Sequence, residues 1–212
     1  MQNALGRKPK FVGGRRVTSE ADLELLRMVL SGVVNKRLVN SLLAIGLPAV
    51  GISGEDGGLI GAEVIDAASL GFAGRPVSVK SDLLRTLLKA GYLPVISPLA
   101  YNATGTTGGA LNVNGDDAAA AIAVALEADE LLLIVDVEGV RGGDGEIASS
   151  LSTETARDLA ANGIAAGGMA AKLESAEAAL LAGVGRVRIC DLAGLGDGER
   201  GTFITHSQSV AL

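Results

Sequence analysis

The amino-acid sequence predicts an α/β fold with a mainly parallel sheet covered by helices on both faces. Three observations point there. Helical patterns alternate with short apolar or β-branched runs along the whole chain. Leu131–Val135 is a continuous apolar run, as expected of a strand buried on both faces. The 212 residues are 48% hydrophobic but only 2% aromatic, with 30 glycines. A core of Ala, Leu, Val and Ile with closely approaching backbones follows, and disorder is excluded.

Thr18 is the expected cap of a first helix, with Glu20 and Asp22 in its first turn. Leu23, Leu26, Leu30, Val33 and Val34 keep helical spacing, and Gly32 should weaken the helix. A second helix runs through Val39, Leu42 and Leu43. Ala49–Ile52 reads as a buried strand, and 53–58 as a turn. Strand-like segments follow near Leu59–Val64 and Val77–Val79. Ser81 is expected to cap a helix to Ala90 that Gly91 stops. Leu93–Ser97 is a strand, and residues 98–110 read as a Gly/Thr-rich loop. An Ala-rich helix is expected over Asp116–Leu126. A helix from Thr153 to Asn162-Gly163, another over Met169–Ala182, and strands at Arg186–Cys190 and Thr202–Thr205 complete the pattern.

Composition excludes several functions. One cysteine, Cys190, rules out a disulfide scaffold, and one histidine, His206, argues against a His-based metal site. No apolar run reaches membrane-spanning length, and the basic N-terminus lacks the apolar stretch of a signal peptide, so the cytoplasm is expected. The net charge of −6 argues against nucleic acid as a partner. Lys and Arg outnumber Asp and Glu by 12 to 8 in residues 1–100, whereas acidic residues lead 16 to 6 afterwards. A basic first half suits a small anion, or is ordinary surface variation.

Four constellations carry the candidate chemistry. Gly13-Gly14-Arg15-Arg16-Val17-Thr18 precedes a helix, where an Arg fork and backbone N–H groups can hold a carboxylate. A merely solubilising Arg pair is the plainer reading. Leu111-Asn112-Val113-Asn114-Gly115-Asp116-Asp117 opens the Ala-rich helix, and period-2 alternation points both Asn side chains the same way. That segment is either a polar site or a simple helix cap. Asp136-Val137-Glu138-Gly139-Val140 follows a buried strand, where a carboxylate faces a ligand or merely ends the strand. Gly167-Gly168-Met169-Ala170-Ala171-Lys172 offers bare backbone N–H groups to phosphate, with Lys172 one turn into the helix. A helix entry with a solvated Lys is the alternative. Neither a Walker A pattern nor a G-x-G-x-x-G fingerprint is present.

In order, GGRRVT, LNVNGDDAA, LLLIVDVEGV, GIAAGGMAAKLE and a terminal GTFI resemble the amino acid kinase family, and within it the branch that phosphorylates N-acetyl-L-glutamate. VLSGVVNKRLV, AVGISGEDGGLI and LLKAGYLPVISPLA add to the likeness, which runs from about Phe11 to Ile204. The resemblance implies a three-layer α/β/α sandwich with a mainly parallel central sheet, in one domain whose acceptor half (about 1–110) precedes an ATP half (about 111–212). It implies transfer of the γ-phosphoryl of ATP, with Mg²⁺, to a carboxylate in arginine biosynthesis. Arg16, Asn112 and Asn114 would bind the acceptor. Asp116 would orient catalytic lysines, and Lys172 would stabilise the transferring phosphoryl group. Asp136, Val137, Glu138, Gly139, Val140 and Arg141, with Ile164, Gly167, Gly168 and Met169, would line the nucleotide. A homodimer or larger homo-oligomer is implied as well.

The family's Lys-x-Gly-Gly strand and Gly-Gly-Gly-Pro-type loop have no counterpart ahead of Phe11. The resemblance therefore implies an N-terminally truncated member. A kinase for carrier-linked aminoadipate and a nucleotide-binding remnant are the alternatives, and Gly13 stands where Asn is more usual.

Overall fold

The computed structural model describes residues 10–12, 15–105 and 109–206. The chain divides into two compact units, Met1–Ala125 and Leu126–Leu212. The sequence suggested one domain with halves meeting near residue 110. The Asn112–Asp116 motif belongs to the first unit.

The first unit opens on a short antiparallel hairpin, β1 (Phe11–Val12) and β2 (Arg15–Arg16). Gly13 and Gly14, between them, lie outside the described residues. Helix α1 (Glu20–Leu26) is capped by Ser19, not by Thr18 as the sequence suggested: Ser19 and Asp22 form a reciprocal capping box. Thr18 is fully buried and pairs with the 70–72 segment instead. Its N–H donates to the Leu70 carbonyl at 3.0 Å, and its carbonyl accepts from Phe72 at 2.8 Å. Leu23 and Leu26 pack on Leu99 and Ala110. Around Gly32 the helix widens into a π-helical stretch, Arg27–Val34, and then continues as α2 (Asn35–Ala44).

Next in order come β3 (Ala49–Ser53), β4 (Ile60–Val64), β5 (Ala73–Val79), α3 (Asp82–Lys89), β6 (Leu93–Ser97), β7 (Leu99–Asn102), β8 (Ala110–Val113) and α4 (Gly115–Leu126). β3 and β6 pair in parallel, and Asn35 Nδ2 braces them by donating to Val95 O at 2.8 Å and Ile52 O at 3.3 Å. Strands β4, β5, β8 and β7 close into a small barrel. Two of its strands, β7 and the start of β8, occupy part of the segment expected as a loop. Closure needs small residues: a Cβ on Gly61 would sit 2.4 Å from Ser78 Oγ, and one on Gly74 2.8 Å from Leu111 Cβ. Ile60, Ala62, Leu99 and Ala100 are wholly buried there.

The second unit holds β9 (Glu130–Ile134), β10 (Ser150–Ser152), α5 (Thr153–Ala161), α6 (Gly168–Leu181), β11 (Arg186–Cys190) and β12 (Thr202–Thr205). Its sheet has the order β10-β12-β11-β9, parallel except between β11 and β12. Val187, Ile189, Cys190 and Ile204 are inaccessible to solvent. Buried Arg188 donates through Nη1 to the carbonyls of Gly194, Asp197 and Arg200 at 2.8–3.0 Å, which fixes the connection to β12. The α/β class expected from the sequence is therefore the one adopted. Parallel pairing joins β3 to β6, β10 to β12 and β11 to β9, while β1–β2, β4–β5, β7–β8 and β11–β12 are antiparallel.

Candidate functional site

The first unit contains a cavity of about 240 Å³ edged by Arg15, Arg16, Leu26, Pro98, Asn112 and Asn114. Arg16 and both Asn residues, singled out from sequence, thus meet at one place. Val113 between the Asn residues is buried, as the alternation expects. The Arg16 Nε is buried and, among the described residues, lacks a hydrogen-bond partner. A buried guanidinium donor left unsatisfied is costly, so this group is suited to an anionic acceptor entering the cavity.

The surrounding bonds hold that arrangement. Asn112 Nδ2 donates to Thr18 Oγ1 at 3.0 Å, and that hydroxyl donates to the Arg16 carbonyl at 3.1 Å. Buried Thr18 thereby links β8 to the hairpin. Asn114 Oδ1 accepts from the Asp116 N–H at 2.8 Å, so Asn114 caps α4 while also lining the cavity. Asp116 and Asp117 lie half-buried in the first turn of α4. Arg15 Nη1 meets Asp117 Oδ2 at 2.6 Å, a pairing the sequence did not reveal because the two residues are far apart in the chain.

In the second unit, Asp136, Val137 and Glu138 are exposed in the turn after β9. Gly139 and Val140 face inward, and the Val140 N–H donates to Thr202 Oγ1 at 2.8 Å. These two residues fix the turn's shape. Arg141 donates to the Gly145 carbonyl at 2.7 Å. Arg200 binds Glu138 at 2.6 Å and forks onto both oxygens of Asp191 at 2.7 and 2.8 Å. Hydrogen bonds from Arg200 hold the Asp191 carboxyl well below its usual range, at about 2. No sequence signal marked Arg200.

Helix α6 begins after Gly167, whose φ of +57° lies in the left-handed region. Nothing lies within 4 Å of a Cβ placed on Gly167 or Gly168, so the backbone at this helix start is open. Ile164 is exposed, while Met169 and Lys172 are half-buried. Lys172 and the expected nucleotide-lining residues all belong to this second unit, whereas Arg16, Asn112, Asn114 and Asp116 belong to the first.

The fold and these features define an α/β protein with an arginine-edged cavity in one unit and an open, glycine-led helix start in the other. Residues 1–191 match the amino acid kinase family, and the chain belongs to it. It is 45% identical over 184 residues to acetylglutamate kinase of Ruegeria sp. (strain TM1040), which covers 87% of this chain and 63% of that protein. It is 48% identical over 187 residues to the acetylglutamate kinase of Cereibacter sphaeroides (strain ATCC 17029 / ATH 2.4.9), again covering 63% of the relative. The chain thus spans just under two thirds of the length of these curated relatives. Among solved structures, smu.665 from Streptococcus mutans UA159 superposes with a TM-score of 0.86 at 28% identity, covering 97% of this chain and 80% of the other.

Proposed function

We propose that this chain takes part in ATP-dependent phosphorylation of the side-chain carboxylate of N-acetyl-L-glutamate, yielding an acyl phosphate, as a step of arginine biosynthesis. The observation that carries the reading is the buried Arg16 Nε, without a hydrogen-bond partner among the described residues, in a cavity also edged by Asn112 and Asn114. The acetylglutamate kinase relatives support the choice of acceptor.

In this reading Arg16 grips the α-carboxylate with its planar fork. Asn112 and Asn114 hydrogen-bond the remainder of the acceptor, and the first turn of α4 adds its positive dipole end. Asp116 orients lysine side chains. The open start of α6 offers backbone N–H groups to ATP phosphates, with Asp136–Arg141, Ile164 and Met169 lining the nucleotide. Lys172 stabilises charge on the phosphoryl group in transfer, a step that depends on positioning and neutralisation. Mg²⁺ enters with the phosphates. Among the described residues no group of three or more His, Cys, Asp or Glu is placed to hold a metal alone.

The reading places the reaction in the cytoplasm. Among the described residues no helix is long and apolar enough to cross a membrane. The exposed apolar side chains of Met28, Val34 and Leu38 support self-association as a homodimer or larger oligomer.

The test is a hydroxamate assay for acyl phosphate, with N-acetyl-L-glutamate, ATP and Mg²⁺, alongside calorimetry of each ligand. Acyl phosphate formation whose KM for N-acetyl-L-glutamate rises in Arg16→Ala supports the reading. Turnover only with carrier-linked aminoadipate reassigns the acceptor. ATP binding without turnover identifies a nucleotide-binding remnant.

A further inference from the structure

We propose that Arg15 is a positioning residue: its ion pair with Asp117 holds the β1–β2 hairpin against the start of α4 and so sets the Arg16 guanidinium in the cavity. The inference rests on the acceptor-site reading above and adds how that site is kept in shape.

The hairpin cannot hold itself. Each strand has two residues, and the register contains only Phe11 with Arg16 and Val12 with Arg15. An isolated pair of such strands is unstable in water. Its root is secured by Thr18, through the backbone bonds to Leu70 and Phe72 and the side-chain link to Asn112. Beyond the root, the hairpin is tied to α4 by Arg15 Nη1 and Asp117 Oδ2, 2.6 Å apart. The pair spans residues far apart in sequence, and its Arg15 edges the same cavity as Arg16. Its side chains are 32% and 18% exposed, so it is more sheltered from counterions than an ordinary surface pair. Because Arg16 follows Arg15 on β2, releasing Arg15 loosens the backbone that aims Arg16.

The experiment measures amide exchange by NMR on the full chain, with Thr18 as internal reference. The Val17 N–H donates to the Lys10 carbonyl and belongs to the hairpin, whereas the Thr18 N–H donates to Leu70. In R15Q and D117N, Val17 should exchange faster by about fivefold while Thr18 is unchanged, the scale of a partly exposed ion pair. Two single variants are needed because Asp117 makes other interactions as well. The charge-swapped double variant R15D/D117R should restore slow exchange. In parallel, calorimetry with N-acetyl-L-glutamate should show weaker binding in both single variants, recovered by the swap. Unchanged Val17 exchange in R15Q and D117N overturns the proposal. So does faster exchange with unaltered N-acetyl-L-glutamate affinity, since the pair would then not aim Arg16. If the wild-type chain binds no N-acetyl-L-glutamate, the acceptor reading fails, and exchange at Val17 alone decides whether Arg15 and Asp117 hold the hairpin.

Discussion

Replacing Gly71 by Ala tests how the cavity's wall is anchored. Gly71 has φ +63°, and a Cβ there would lie 2.3 Å from the Thr18 carbonyl oxygen. Two costs add. The left-handed conformation costs a non-glycine residue about 1 kcal/mol. The clash with backbone also forces Thr18 away, weakening the Thr18 N–H bond to Leu70 and the Phe72 N–H bond to Thr18. Each is worth about 1 kcal/mol net, so the total is about 3 kcal/mol. Gly46 supplies the control: its φ is +84°, but nothing lies within 4 Å of its added Cβ. Gly46→Ala should therefore cost only the conformational part, about 1 kcal/mol. For a chain of this size each kcal/mol lowers the melting temperature by about 2–4 °C, giving losses of about 6–12 °C for Gly71→Ala and about 2–4 °C for Gly46→Ala. Thermal melts followed by circular dichroism read the difference. Equal losses in the two variants would refute the claim that close approach to Thr18, and not backbone conformation alone, requires glycine at 71.

Other expectations concern the proposed chemistry and the charge network. Arg16→Ala should raise the KM for N-acetyl-L-glutamate and leave ATP binding nearly unchanged, with Arg16→Lys a poor substitute because the fork is lost; initial-rate kinetics against each substrate check this. Lys172→Ala should lower kcat by about 100-fold with little change in the ATP KM, which single-turnover kinetics can verify. Asp191 is held at about 2 instead of 3.8 by hydrogen bonds from Arg200. A carboxylate with a depressed folded-state value adds stability above its unfolded value and loses it as pH falls through the folded one. The gap in melting temperature between wild type and Asp191→Asn should thus stay constant above about pH 5 and close between about pH 4 and pH 2.

Strands β6, β11 and β12 lie at the residues the sequence suggests, although Leu93 of β6, Arg186 of β11 and Thr205 of β12 stay exposed. β7 and β8 were harder to read. Each also pairs with a strand distant in sequence, and the Gly/Thr-rich stretch between them has loop composition; barrel closure then uses Gly61 and Gly74 for close packing. Ser19 and Thr18 are both accepted caps by residue type, and the capping box with Asp22 together with the bridge of Thr18 to Gly71 decides for Ser19. At the cavity, the shared side of Asn112 and Asn114 is legible from alternation, whereas Arg16 is picked out only by the family resemblance. Arg15–Asp117, Arg188 and Arg200 were not, since local spacing carries no record of which distant oxygen an arginine meets.

The π-helical stretch at Arg27–Val34 acts on the chain as a phase shifter. An α-helix turns each successive side chain by about 100°, so a wider turn changes the angle at which everything downstream emerges. Upstream, Leu23 and Leu26 face Leu99 and Ala110. Downstream, the setting lets Asn35 brace β3 and β6 while Val39 stays buried. Tightening this stretch into regular α-helix by deleting a residue would rotate the second half and carry the Asn35 amide off both carbonyls. The length of this stretch is therefore itself a structural parameter: hydrophobic substitutions along it are absorbed more easily than a change of one in its residue count.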